Sequence, residues 1–186
     1  MIPNKQNNPI KFAAWFIGLF LVFYYFNILF FGVTSPGKFY SPFLAEHLNY
    51  IQWLRWVLLQ CSAFVINSLG FSTVTNNYEL LVAGRGVIQL VYSCLGLGLI
   101  SFFAAFVLAY PKPRKAKIIF LLSGILVIEL LNTFRFVFLA LFWTRQQSAI
   151  IDHHTIFNIL MYVIIAASLY FWVKADIAEN NAHAKN

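Results

Sequence analysis

The chain has 186 residues, 61% of them hydrophobic and 10% charged, with a mean hydropathy of +0.74. Soluble domains carry about 25% charged residues, so a soluble globular fold is excluded. Thirteen Lys and Arg against six Asp and Glu give a net charge of +7. The basic residues stand between apolar runs, so they report membrane orientation and no nucleic-acid partner is expected. Cys61 and Cys94 are the only cysteines, too few for a disulfide scaffold or a cysteine-rich zinc site.

A helix needs roughly 20 apolar residues to span ~30 Å of hydrocarbon. Four stretches supply them: 12–31, 90–110, 118–142 and 154–173. The chain therefore reads as one all-α polytopic membrane domain over 1–186 with about four transmembrane helices. The first stretch follows Lys5 and Lys11 and lacks a small-residue cleavage site after it, so it is expected to stay as an anchor.

Next comes 50–70, which breaks the pattern. Gln52, Arg55, Gln60, Ser62 and Asn67 gather on one half of a helical wheel, and Trp53, Leu54, Val57, Leu58, Cys61, Phe64 and Val65 fill the other. That division predicts a helix lying in the membrane interface, with Trp53 and Trp56 at headgroup level. Arg55 near the centre of a true span would cost ~2.5–3.5 kcal/mol. Residues 78–92 then read as two short strands around the turn Ala83-Gly84-Arg85-Gly86, a β-hairpin expected on the outer face. Arg85 in that turn is expected to be a solvated charge.

Between 110 and 118 the run Pro111-Lys112-Pro113-Arg114-Lys115-Ala116-Lys117 holds four positive charges in seven residues, which the positive-inside rule places in the cytoplasm. With 50–70 not crossing, both termini are cytoplasmic, and the hairpin and the 143–153 connection face outward. The tail 178–186, rich in Asn and Ala, is expected to be disordered.

This topology brings three reactive groups to one depth. Cys94 opens the 90–110 span at its outer end. Arg135 lies 17 residues after Ile118, about 26 Å along a helix, and His154 opens the last span. A thiol of pKa ~8.5 becomes a useful nucleophile when an imidazole or guanidinium stabilises its thiolate. An always-charged Arg can also hydrogen-bond the oxyanion of a tetrahedral acyl intermediate. Glu129 and Arg135, six positions apart, point in different directions, whereas Asn132 lies three residues from each and is placed to orient Arg135. His153 and His154 compete for the base role, since adjacent helical residues point about 100° apart. Asp152 is expected to cap the last helix. Asp152, His153, His154 and Cys94 lack the i, i+4 pair of a helical metal site, so no metal is expected.

These residues resemble those of the exosortase/archaeosortase family of membrane cysteine transpeptidases, most closely its short exosortase F branch. The resemblance rests on Cys94-Leu95-Gly96, Asn132-Thr133-Phe134-Arg135 and His154-Thr155-Ile156-Phe157-Asn158 in that order, over about residues 52–173. Leu95 stands where the family usually has Ser, and Asn158 where Gly is common. The resemblance implies Cys94 as nucleophile, His154 as proton acceptor and donor, and Arg135 as stabiliser of the thiolate or oxyanion, with Asn132, Asn158 and His153 in support. It implies no cofactor. The implied substrates are exported proteins ending in a hydrophobic helix and a basic tail, cleaved at the outer face of the inner membrane through an acyl-enzyme. Membrane lipids surround the site, and there is room for a small accessory membrane protein. The competing expectation is a non-catalytic scaffold of a surface-protein export system, in which polar intramembrane residues serve helix contacts.

Overall fold

A computed structural model describes the backbone of residues 9–142 and 153–183, and side chains of 9–142 and 157–175. Along the chain run α1 (Pro9–Thr34), α2 (Pro42–His47), α3 (Tyr50–Ser68), strands β1 (Thr73–Thr75), β2 (Glu79–Val82) and β3 (Gly86–Gln89), a 3-10 turn (Tyr92–Leu95), then α4 (Leu97–Ala109), α5 (Arg114–Phe142) and α6 (His153–His183). Among the described residues four segments are long and apolar enough to cross a membrane: Pro9–Thr34, Tyr92–Ala109, Arg114–Phe142 and Phe157–Ala175. The protein is a polytopic, mostly helical membrane protein with a small sheet. The described residues fall into two compact units, divided between Arg145 and Gln146, and α6 in the second unit is described by itself.

In the first unit α1 packs along α4 through aromatic rings at helical spacing. Phe12 meets Phe106 edge-on at 5.4 Å and Phe16 meets Phe102 at 5.3 Å. Residues four apart share a helix face, so each turn of α1 presents a ring to α4. One polar knot fixes the register. Asn27 Nδ2 donates to Ser101 Oγ at 3.0 Å, and the Tyr50 hydroxyl donates to Asn27 Oδ1. With no water in the hydrocarbon, such pairs give helix contacts a defined place.

The 90–110 span is not one α-helix. Leu90 N donates to Tyr78 O at 2.7 Å, which keeps Leu90 with the sheet. The 3-10 turn follows, and Gly96 at φ 70° separates it from α4, an α-helix of 13 residues. At 1.5 Å per residue α4 alone covers about 20 Å, and the 3-10 turn adds about 8 Å. Cys94 is thereby held in a turn at the end of the span.

Helix α3 forms where expected, its first turn capped by Asn49 Oδ1 accepting from Gln52 N, and it is not among the four crossing segments. Its orientation corrects the reading of its polar half. Arg55 and Ser62 lie on the buried face with Ile51, Leu58, Leu59, Ala63 and Ile66, whereas Trp53, Trp56, Phe64 and Cys61 are exposed. A membrane protein can turn its apolar surface to lipid and keep polar groups inside, so the wheel alone does not say which half is the core.

The hairpin is present but is part of a three-stranded meander, β1-β2-β3. Thr73 pairs with Val82, and Leu80 with Ile88. The turn between β2 and β3 closes with Arg85 N donating to Val82 O at 3.1 Å. Arg85 is not merely solvated: its Nη1 donates to Leu141 O at 2.6 Å, and its guanidinium lies 5.2 Å from the Phe71 ring centre. It therefore satisfies a carbonyl in the last turn of α5.

Helix α5 begins inside the basic run, at Arg114, and Lys117 Nζ donates to Leu108 O at 2.7 Å, closing the last turn of α4. Its N-terminal part exposes Ile118, Ile119, Leu122 and Leu126, while its C-terminal part is buried around Phe136 and Ala140. Helix α6 continues to His183, past residue 178 where disorder is expected. Ala175, Ala178 and Ala182 favour helix, and extending a helix costs far less than starting one.

Candidate functional site

Two chain segments 41 residues apart meet at the end of the first unit that carries the sheet. Cys94 sits in the 3-10 turn, its amide donating to Val91 O at 3.0 Å, and its side chain joins the core with Leu58, Leu80, Leu90 and Phe136. Arg135, 21 residues into α5 and so about 31 Å from its start, is 4% exposed. Its Nη2 donates to the carbonyl oxygen of Cys94 at 2.6 Å. The structure thus brings Arg135 to Cys94 through the backbone carbonyl. The Cys94 thiol and the Glu129 carboxyl both lie within electrostatic range of the guanidinium.

Asn132 is buried one turn below. Its Nδ2 donates to Glu129 Oε2 at 3.4 Å, and its side chain lies against Gly96, the residue that ends the cysteine turn. Thr133 Oγ1 returns to Glu129 O at 2.9 Å. Asn132 therefore links Glu129 to the floor of the Cys94 turn. The second carboxyl oxygen, Glu129 Oε1, is buried with no hydrogen-bond partner among the described residues.

His153 and His154 open α6, but their side chains lie outside the described residues, as does Asp152. Asn158, four residues after His154 and so on the same helix face, is exposed. No group of three or more His, Cys, Asp or Glu that could hold a metal occurs among the described residues.

One charged group near this turn is not among the site residues expected from the sequence. Arg55 is 5% exposed and donates from Nη1 to Gln52 Oε1, with its guanidinium 4.6 Å from the centre of the Tyr78 ring. Its Nε is buried without a partner. Burial lowers the guanidinium's affinity for its proton, and the interaction with Tyr78 opposes that. Arg55 lines a cavity of about 280 Å³ whose wall continues through Leu90, Val91 and Tyr92, the residues that lead into Cys94. The signal was Arg55 itself, a cation in an otherwise uncharged 19-residue helix.

The sequence profile of a family described as Transmembrane exosortase (Exosortase_EpsH) matches residues 8–171. No curated protein and no solved structure matches the chain.

Proposed function

The chain belongs to the transmembrane exosortase family, and from that premise we propose that it is a cysteine transpeptidase of the short exosortase F type. It cuts the C-terminal sorting signal of exported proteins at the outer face of the inner membrane. The observation that supports this reading is the buried hydrogen bond from Arg135 to the Cys94 backbone carbonyl, with the Cys94 thiol within electrostatic range of the guanidinium, at one end of two membrane-crossing segments. A cation within the membrane is costly to bury, and such residues mark functional sites.

In the proposed reaction the Cys94 thiol gives its proton to His154, and the sulfur attacks the carbonyl carbon of a substrate peptide bond. Arg135 compensates the negative charge that develops on the sulfur and then on the carbonyl oxygen. The C–N bond breaks, the leaving amine takes the proton from His154, and a thioester on Cys94 remains. An amine or water then attacks the thioester and the thiol re-forms. Asn132 and Gly96 are positioning residues, since they shape the turn and not the reacting bond. Both termini are cytoplasmic in this reading, and the substrate's hydrophobic helix lies in the lipid beside the exposed face of α5, its basic tail inside.

The test follows C-terminal peptides of exported proteins in membranes from cells expressing the full chain or its variants. Uncut proteins that retain a hydrophobic helix and basic tail are expected to accumulate with Cys94→Ala, Arg135→Ala and His154→Ala, but not with Cys61→Ala. Normal processing with Cys94→Ala would overturn the reading. A second reading, the non-catalytic scaffold, is favoured by one observation: the Cys94 side chain is packed in the apolar core, 4% exposed. That reading expects Cys94→Ala to retain both assembly and processing.

A further inference from the structure

We propose that the basic end of the first unit, where α1, α4 and α5 meet, binds the phosphate of an anionic phospholipid, whose acyl chain lies along the exposed stripe of α5 that starts at Lys115. This end is the one away from Cys94, and the inference does not depend on the transpeptidase reading.

Contacts between the helices gather the cations. The Phe12 ring meets the Tyr110 ring edge-on at 6.1 Å, which brings Lys11 in the first turn of α1 to the end of α4. Lys117 Nζ donates to Leu108 O at 2.7 Å, and Lys112 N donates to Tyr110 O at 2.9 Å, so the start of α5 is tied to the same place. Lys11, Lys112, Arg114, Lys115 and Lys117 therefore share one end of the unit. Helices α1 and α4 contain no acidic residue, and α5 has none before Glu129, about 22 Å along the helix from Arg114. Like charges gathered within a Debye length of about 10 Å repel with little screening. A phosphate among them offsets that repulsion, through the charge-assisted hydrogen bonds that Lys and Arg both give.

What lies beside the cations argues for a lipid over a free phosphate. Residues four and seven apart share a helix face, and Lys115 heads a stripe that continues through Ile119, Leu122 and Leu126, every one of them exposed. An exposed cation followed by three exposed apolar turns, inside a segment long enough to cross a membrane, matches a headgroup followed by its acyl chain. Trp15, exposed and one turn along α1 from Lys11, and Tyr110 at the end of α4 are aromatic residues of the kind that mark headgroup level. Clustered Lys and Arg at the ends of crossing helices are the pattern that acidic headgroups recognise. A soluble anion would meet the cations and leave the stripe uncovered.

The experiment places the full chain in nanodiscs of phosphatidylcholine with increasing phosphatidylglycerol and reads the thermal midpoint. Phosphatidylglycerol is expected to raise the midpoint with dose. Inorganic phosphate, added at matched ionic strength to discs of phosphatidylcholine alone, is expected to leave it unchanged. This comparison needs no mutation and so survives any folding defect. Lys115→Gln is expected to raise the phosphatidylglycerol fraction needed for the half-maximal rise by roughly fivefold. Lys38→Gln removes the same charge from the segment that follows α1, at the other end of that helix, and is expected to change nothing. Both lysines are exposed, and the pair separates a site from the general attraction of a chain of net charge +7 to an acidic bilayer. Absence of a rise with phosphatidylglycerol, an undiminished rise in Lys115→Gln, or equal losses in the two variants would overturn the inference. So would a rise with inorganic phosphate as large as that with phosphatidylglycerol, because the anion would then need no acyl chain.

Discussion

Asn132 Nδ2 lies 2.6 Å from the point where a β-carbon on Gly96 would stand, and Gly96 holds φ at +70°. Two demands therefore fall on one position, a left-handed backbone and room for an amide. Gly84 is a built-in comparison, with φ +74° and nothing within 4 Å of its absent β-carbon. Alanine at Gly84 is expected to cost only the left-handed strain, about 1–2 kcal/mol. Gly96→Ala should cost more, because Asn132 must also move. Thermal unfolding of the detergent-solubilised full chain gives both values, and adding Asn132→Ala to Gly96→Ala should return part of the excess but none of the strain. Equal losses at Gly84 and Gly96 would show that the amide is not held where it is described.

Arg135 anchors the cysteine turn from α5, so its removal acts on stability as well as on chemistry. Arg135→Met leaves the buried Cys94 carbonyl without this donor, a loss of about 1–3 kcal/mol. Arg135→Lys keeps a cation on a shorter reach and without the planar fork, so it should fold better than Arg135→Met yet process poorly. The two measurements are thermal midpoint and accumulation of uncut exported protein. If the Lys variant processes at the native rate, charge alone suffices and the Cys94 carbonyl contact is incidental.

Much of this arrangement is legible in the residues themselves, and the exceptions have physical reasons. The crossing segments announce themselves by length and apolarity, and Arg135 by being a charge inside one of them. Asn132 is found from its spacing, three residues from both Glu129 and Arg135, although its described partners are Glu129 and the Gly96 turn. Arg55 was harder to place because a helical wheel divides polar from apolar without saying which side meets lipid. Strand β1 is only Thr73-Val74-Thr75, too short to show a period, and its pairing with β2 depends on residues outside it. Arg85 looked solvated because its acceptor, the Leu141 carbonyl, is a backbone atom 56 residues away. The Cys94 turn was hidden by the apolarity of its surroundings: hydropathy runs unbroken through 90–110, while Gly96 interrupts the helix.

Gly124 is equally silent in the sequence, one small residue in an apolar span. A β-carbon there would lie 2.1 Å from Cζ of Phe103, and that ring is 1% exposed. The Phe103 ring thus fills the notch that Gly124 leaves between α4 and α5. Gly124→Ala should force the ring out of place and destabilise the pair by about 1–3 kcal/mol, despite alanine's better helix propensity. Combining it with Phe103→Leu, which shortens the side chain, should recover part of the loss. Non-additive thermal midpoints in the double variant would verify the contact, and simple additivity would refute it.

Tyr50 offers a pH test of the knot that joins α1, α3 and α4. Burial first, and the neighbouring Tyr92 second, push its phenol from the ordinary 10.0 up to about 12. A group whose pKa rises on folding contributes stability that is complete below its unfolded value and is lost as pH climbs through the folded one. The Tyr50 contribution should thus hold to about pH 10 and disappear by about pH 12. Tyr50→Phe removes the hydroxyl that Asn27 Oδ1 accepts, so at pH 8 it is expected to be less stable than the native chain by about 1 kcal/mol. Having no phenol to ionise at this position, the variant escapes that part of the alkaline loss. Thermal midpoints of the two proteins should therefore converge between pH 10 and 12. A gap that stays constant across that range would mean that Tyr50 is not held neutral by the fold, and that the Asn27–Ser101 pair sets the register of α1 and α4 without it.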